Sequence, residues 1–129
     1  MSKKYEATKP IYLQIVDQVC GQIARGEIRP GEKLPSVREM AIQSGVNPNT
    51  IQRSYTEMER MGIVEAKRGQ GSFVIEDEEI VGRLQQSMQK EIIEQFVGNM
   101  KDLGFSSSQI ISGLESYLKE RDHHDNSLF

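Results

Sequence analysis

Two helix starts stand close together in this chain, Ser36-Val37-Arg38-Glu39 and Asn47-Pro48, with Gly45-Val46 between them. The first is a capping box. The serine hydroxyl can take the backbone N–H three residues on, while the glutamate carboxylate returns to the serine N–H. The second joins a strong N-cap, Asn, to a proline at the first helical position, where its missing N–H costs nothing. Glycine between them permits the left-handed backbone that ends a helix. This punctuation predicts a helix from about Ser36 to Ser44 and another from Asn47 to Met61, the spacing of a helix-turn-helix. Val37, Met40 and Ala41 are expected inward from the first, and Ile51, Tyr55, Met58 and Met61 from the second.

The flanks complete a small domain. Tyr12, Ile15, Val16, Val19, Cys20 and Ile23 recur at helical spacing between Pro10 and Arg25. Residues 28–35 form a turn-rich connection. After Gly62, Ile63-Val64-Glu65 and Ser72-Phe73-Val74-Ile75 read as two short strands around the five-residue loop Lys67-Arg68-Gly69-Gln70-Gly71. The acidic run Glu76-Asp77-Glu78-Glu79 then links to a helix from about Asp77 to Leu103, stopped by Gly104. Ser106-x-x-Gln109 caps a last helix with Ile110, Ile111, Leu114, Tyr117 and Leu118 inward. Asp122 to Phe129 is expected to fray. The expected fold is mainly α with a small β-hairpin. Residues 1–75 form a winged helix-turn-helix, and 76–129 a two-helix region.

Composition narrows the function. The 129 residues hold one cysteine and two histidines. No apolar run approaches the ~20 residues of a membrane span. The first residues, Met1-Ser2-Lys3-Lys4-Tyr5-Glu6, lead into no apolar signal segment, so the expected location is a reducing cytoplasm. Cys20 lies on an apolar helix face and reads as a core residue. His123 and His124, between Asp122 and Asp125, are adjacent on a tail and share no face, so neither a metal nor a cofactor is expected. The net charge of -3 hides an asymmetry. Residues 1–75 carry eleven Lys/Arg against eight Asp/Glu, a balance of +3, and residues 76–129 carry -6. The first part suits a polyanion, and the second does not.

The second helix of a helix-turn-helix presents its N-terminal residues to base edges in the major groove. Here those are Asn49, Thr50 and Arg53, with Asn47 at the cap. Arginine pairs bidentately with guanine, and asparagine with adenine. The N-terminal amides of that helix also suit a phosphate. Ser36 and Arg38 open the preceding helix, which crosses the DNA backbone, so phosphate contact is their expected role, with base contact the alternative for Arg38. In the wing, Lys67 and Arg68 supply charge, Gly69 and Gly71 allow close approach, and Gln70 is polar. Each residue alone is ordinary exposed surface. Their consecutive grouping points to double-stranded DNA.

Four blocks carry a resemblance. They are Leu34-Pro35-Ser36-Val37-Arg38-Glu39-Met40-Ala41, Val46-Asn47-Pro48-Asn49-Thr50-Ile51-Gln52-Arg53-Ser54-Tyr55, Glu59-Arg60-Met61-Gly62-Ile63-Val64 and Arg68-Gly69-Gln70-Gly71-Ser72-Phe73-Val74. With Pro10-Ile11-Tyr12-Leu13-Gln14-Ile15 before them, residues 8–75 resemble the GntR family of bacterial transcription regulators. The short second half resembles its YtrA-like subfamily. The resemblance implies a homodimeric repressor on a palindromic operator, regulating its own operon and neighbouring transporter genes. It carries a DNA-contact role onto Arg38, Asn49, Thr50, Arg53, Arg68, Gly69 and Gln70. Where some members place an arginine within Val46 to Thr50, this chain has Pro48 and Asn49.

Two helices enclose too little space for a drug-sized ligand, which needs ~300 Å³ or more. The second half therefore reads as a dimerisation element, with Leu84, Met88, Ile92, Phe96, Met100, Leu103, Ile110 and Leu114 on its apolar stripe. Any small-molecule effector is expected between the second halves of two chains, or between them and the winged heads. A winged-helix module that binds protein is the alternative, and competition by plain DNA separates the two. The aminotransferase domain of larger GntR-like proteins needs several hundred further residues, so no enzyme is expected.

Overall fold

The computed structural model describes residues 8–127, with side-chain surroundings through residue 123. Five helices and one hairpin follow in order: α1 (Ile11–Ala24), α2 (Val37–Ser44), α3 (Pro48–Arg60), β1 (Val64–Lys67), β2 (Gly71–Val74), α4 (Glu78–Asp102) and α5 (Ser107–Ser127). The chain divides into two compact units, Met1–Gln86 and Ser87–Phe129, so the division falls inside α4. No helix among the described residues is long and apolar enough to cross a membrane.

The first unit packs α3 between α1 and α2, with the hairpin following α3. Ile15, Val19 and Ile23 of α1 and Ile51 and Met58 of α3 are buried where these helices pack, and Leu34, Ile63, Val64 and Val74 are buried with them. Cys20 is buried there, as its place on the apolar face predicts. Burial first, and the Asp17 charge second, push its thiol up to about 12. Two buried polar residues break the apolar pattern. Gln14 donates its side-chain amide to the Lys9 carbonyl at 2.7 Å. Ser54 donates to the carbonyls of Tyr12 at 2.9 Å and Thr50 at 3.0 Å.

Several expectations change in detail. Only Ala41 of α2 is buried, while Val37 and Met40 are half-buried. Met61 is exposed, because α3 ends at Arg60 and the chain turns there. The wing loop shrinks to Arg68-Gly69-Gln70, since Lys67 pairs with Gly71 in the antiparallel register. Residues 31–34 are more than a turn. Val74 N–H donates to Glu32 O and Leu34 N–H to Ser72 O, and Lys33 forms an isolated antiparallel bridge to Phe73, so this segment runs beside β2 without adding a strand to the two-stranded sheet. It is too short, between Pro30 and Pro35, to show an alternating pattern.

The second unit holds the rest of α4 and all of α5. The Ser106 hydroxyl accepts from Gln109 N–H, and the Gln109 side chain accepts from Ser106 N–H, the expected capping box. The helix does not fray at Asp122 but continues through Ser127. Residues 122–127 contain neither glycine nor proline, and a helix already nucleated propagates at little cost. The side chain of His124 lies outside the described residues. Of the side chains expected inward, Ile110 is buried, whereas Ile111, Leu114, Tyr117 and Leu118 are exposed.

Candidate nucleic-acid interface

The turn between α2 and α3 forms as its residues dictate. The Ser36 hydroxyl accepts from Glu39 N–H at 3.1 Å, and Ser36 N–H donates to the Glu39 carboxylate at 2.9 Å. That donation holds the Glu39 carboxyl below its usual range. Gly45 ends α2 at φ 66°, in the left-handed region that suits glycine. Asn47 Oδ1 then accepts from Asn49 N–H at 2.8 Å and starts α3.

Two buried hydroxyls set the orientation of α3. Ser54 ties it to the Tyr12 carbonyl of α1. Tyr55 donates to the Pro35 carbonyl, just ahead of α2, at 2.6 Å. Burial, and secondarily the Glu39 charge, push the Tyr55 phenol up to about 12. With Ile51, Ser54, Tyr55 and Met58 turned inward, the opposite face carries Asn49, Gln52, Arg53, Thr56 and Arg60. All five are exposed.

The predicted residues fall into different situations. Ser36 and Asn47 are exposed but already work as caps. The first-turn amides expected to receive a phosphate are occupied, which corrects that expectation. Pro48 has none, Asn49 N–H goes to Asn47 Oδ1, and Thr50 N–H goes to Asn47 O at 2.9 Å. Thr50 is half-buried on the side of Ser54. Asn49 and Arg38 are open to solvent. The Arg53 guanidinium carbon lies 3.9 Å from the centroid of the Tyr12 ring, a cation–π contact.

Gln52 and Thr56 escaped the sequence reading. Gln52 Nε2 approaches Thr56 Oγ1 at 3.4 Å on the outward face. Their spacing of three and seven residues from Asn49 was the available signal.

In the wing, the Gln70 N–H donates to Lys67 O at 2.9 Å, and Gly69 takes φ 75° to close this turn. Arg68, Gly69 and Gln70 are all exposed at the tip. The Lys67 ammonium sits 4.6 Å from the Phe73 ring centroid. Lys33 is a further cation here. Its side chain runs past Gly71, where a Cβ would stand 3.0 Å from Lys33 Cε. Its signal was long-range strand pairing, invisible to local pattern.

The stripe residues stand as follows. Leu84, Met88 and Met100 are half-buried, while Ile92, Phe96, Leu103 and Leu114 are exposed, Leu103 at 75%. Ile110 is buried.

Residues 11–74 match the family described as bacterial regulatory proteins, gntR family. The chain is 52% identical over 117 residues to the uncharacterized HTH-type transcriptional regulator YhcF of Bacillus subtilis (strain 168), covering 91% of this chain and 97% of that protein. The HTH-type transcriptional repressor YtrA of the same organism is 39% identical over 94 residues, with 70% and 71% covered. The solved structure of a GntR family transcriptional regulator from Listeria monocytogenes superposes with a TM-score of 0.82 at 38% identity, over 87% of this chain and 98% of that one. The DNA-binding domain of AraR in complex with operator ORR3 superposes with a TM-score of 0.50 at 27% identity, over 57% and 87%.

Proposed function

The chain belongs to the gntR family of bacterial regulatory proteins, in its YtrA-like branch, and from that premise we propose that it is a repressor that binds a palindromic operator as a homodimer. It is a DNA-binding transcriptional regulator and not an enzyme. One observation carries the reading: α3 is tied down by Ser54 and Tyr55 while Asn49, Gln52, Arg53 and Thr56 stand outward. A rigid helix with a polar outer face fits the major groove.

In this reading residues 1–75 are the DNA-binding domain. Asn49, Gln52 and Thr50 face the groove, and Arg53 stands on the α1 flank of the same helix. Ser36, Arg38 and Asn47 lie along the backbone, and Lys67, Arg68, Gly69 and Gln70 form the wing contact, with Lys33 behind it. Residues 76–129 join two chains through Leu84, Met88, Ile92, Phe96, Met100, Leu103, Ile110 and Leu114. The exposed apolar side chains of α4 and α5 support this, since leaving them in water costs ~25 cal/mol per Å². A two-fold dimer puts two heads about one helical turn apart on a palindrome. An effector binds, in this reading, between the two second units. The repressor sign follows the relative YtrA, and the proposed targets are the protein's own operon and transporter genes, on the nucleoid in the cytoplasm.

Fluorescence anisotropy with the upstream promoter duplex, against a scrambled duplex at two salt concentrations, tests the reading. A preference of ~1,000-fold or more for the promoter, falling steeply with salt, is expected. Equal binding to both duplexes contradicts self-regulation. No binding at low salt favours the protein-interaction module instead.

A further inference from the structure

Tyr12 and Arg53 are distant in sequence and meet across the packing of α1 on α3. Tyr12 touches α3 twice: its carbonyl accepts the Ser54 hydroxyl at 2.9 Å, and its half-buried ring carries the Arg53 guanidinium at 3.9 Å. The carbonyl contact ties the Tyr12 backbone to α3, and the half-buried ring beside it gives the guanidinium a place to rest. Glu57 and Arg60 border the same flank. The Arg60 Nε donates to Glu57 Oε1 at 2.8 Å. Glu57 is held below its usual range by that hydrogen bond first, with the Arg53 charge also contributing. Arg53 thus leans toward α1, although its Cα lies on the outward face.

We propose that Tyr12 is a positioning residue of the DNA interface, holding Arg53 on the α1 flank of α3 as a phosphate contact and so removing it from base reading. This rests on α3 being the DNA-reading helix. A guanidinium stacked by its face keeps its in-plane N–H groups free, and these suit a phosphate. The stacking also orders a long side chain before DNA arrives, which lowers the cost of binding. To pair with a guanine, Arg53 would have to leave the ring and cross toward Gln52. Asn49 and Gln52, whose side chains meet no such tether on α1, are left as the base readers.

The test uses the full chain, with a binding-site selection followed by salt titration on the selected duplex and on a scrambled one. For Arg53→Ala, the expected result is a similar weakening on both duplexes, about tenfold at moderate salt. The salt slope falls by about one and the selected consensus is unchanged. Tyr12→Phe keeps an aromatic face and behaves as the parent. Tyr12→Leu frees the guanidinium, weakens binding severalfold and alters the consensus beside the Asn49 and Gln52 positions. Circular dichroism melts identify any loss due to unfolding, and Tyr12→Phe keeps the comparison open in that case. If Arg53→Ala relaxes one base position with an unchanged salt slope, Arg53 reads a base and the proposal fails. It fails too if folded Tyr12→Leu matches the parent in affinity, slope and consensus, or if Tyr12→Phe loses binding as Arg53→Ala does. A parent chain that selects no sequence overturns the reading of α3 itself, which is a separate outcome.

Discussion

In the first compact unit Ile15, Val19, Ile51, Met58 and Val74 are all at 2% exposure or less, drawn from three different elements. In the second, Ile110 is the only hydrophobic side chain buried among the described residues, while Ile92, Phe96, Ile111, Leu114 and Leu118 remain open. The apolar content of the two regions is not what separates them. Three helices and a hairpin surround a volume, whereas two helices offer one another only a strip and leave the remaining apolar face uncovered. The outward surfaces differ in kind as well. The head turns a polar helix face and a basic wing outward, which suits a nucleic acid. The tail turns aliphatic and aromatic side chains outward, which suits another copy of itself.

The largest effect that can break this comparison is inside the head. Met58 is fully buried on α3, so Met58→Ala is expected to cost about 2–5 kcal/mol in urea unfolding. A loss below 1 kcal/mol would mean the head core is not closed. Next comes the tail. Phe96→Glu with Leu114→Glu puts charge on the uncovered face and should lower operator affinity about 100-fold by separating two linked heads. The melting of the head should be unchanged, and parental affinity would show that each head binds alone.

A smaller effect concerns the orientation of α3. Tyr55→Phe leaves the Pro35 carbonyl without its 2.6 Å donor, and should cost about 1 kcal/mol with weakened operator binding. Loss of stability with binding unaltered would show that Tyr55 packs but does not orient. The smallest expected effect is in alkali. Cys20 and Tyr55 keep their protons in the fold up to about 12, against 9.0 and 10.0 ordinarily. Groups with raised values stabilise the fold fully below the ordinary range, and that contribution is lost as pH rises toward 12. Head stability should therefore fall between about pH 9 and 12, and Cys20→Ala should flatten the lower part of the fall. An unchanged profile in that variant would exclude Cys20 as a source.

The helices were legible because their ends carry local chemistry. Ser36, Glu39, Gly45, Asn47 and Pro48 each act within three residues of themselves, so their structure follows from neighbours alone. What escaped depends on distant contacts. The bridge at Lys33 forms only because β2 lies beside it. Ser54 stands at stripe spacing from Ile51 and Met58, but its polarity hides it from a hydropathy pattern, and its burial depends on the Tyr12 carbonyl across the interface. The same holds at the candidate site. Asn49 was found from its place after the cap, and Gln52 could have been found from spacing. The stacking of Arg53 on Tyr12 could not, because it joins two helices. The length of α5 is hidden for another reason: closeness to a chain end suggests fraying, but residues 122–127 hold no helix breaker.

Sedimentation equilibrium of the full chain at micromolar concentration tests the contrast between head and tail most directly. The account predicts twice the chain mass, falling to a single chain mass in the Phe96→Glu, Leu114→Glu variant while the head still melts cooperatively. A parent chain that sediments as a folded monomer at tens of micromolar would contradict it.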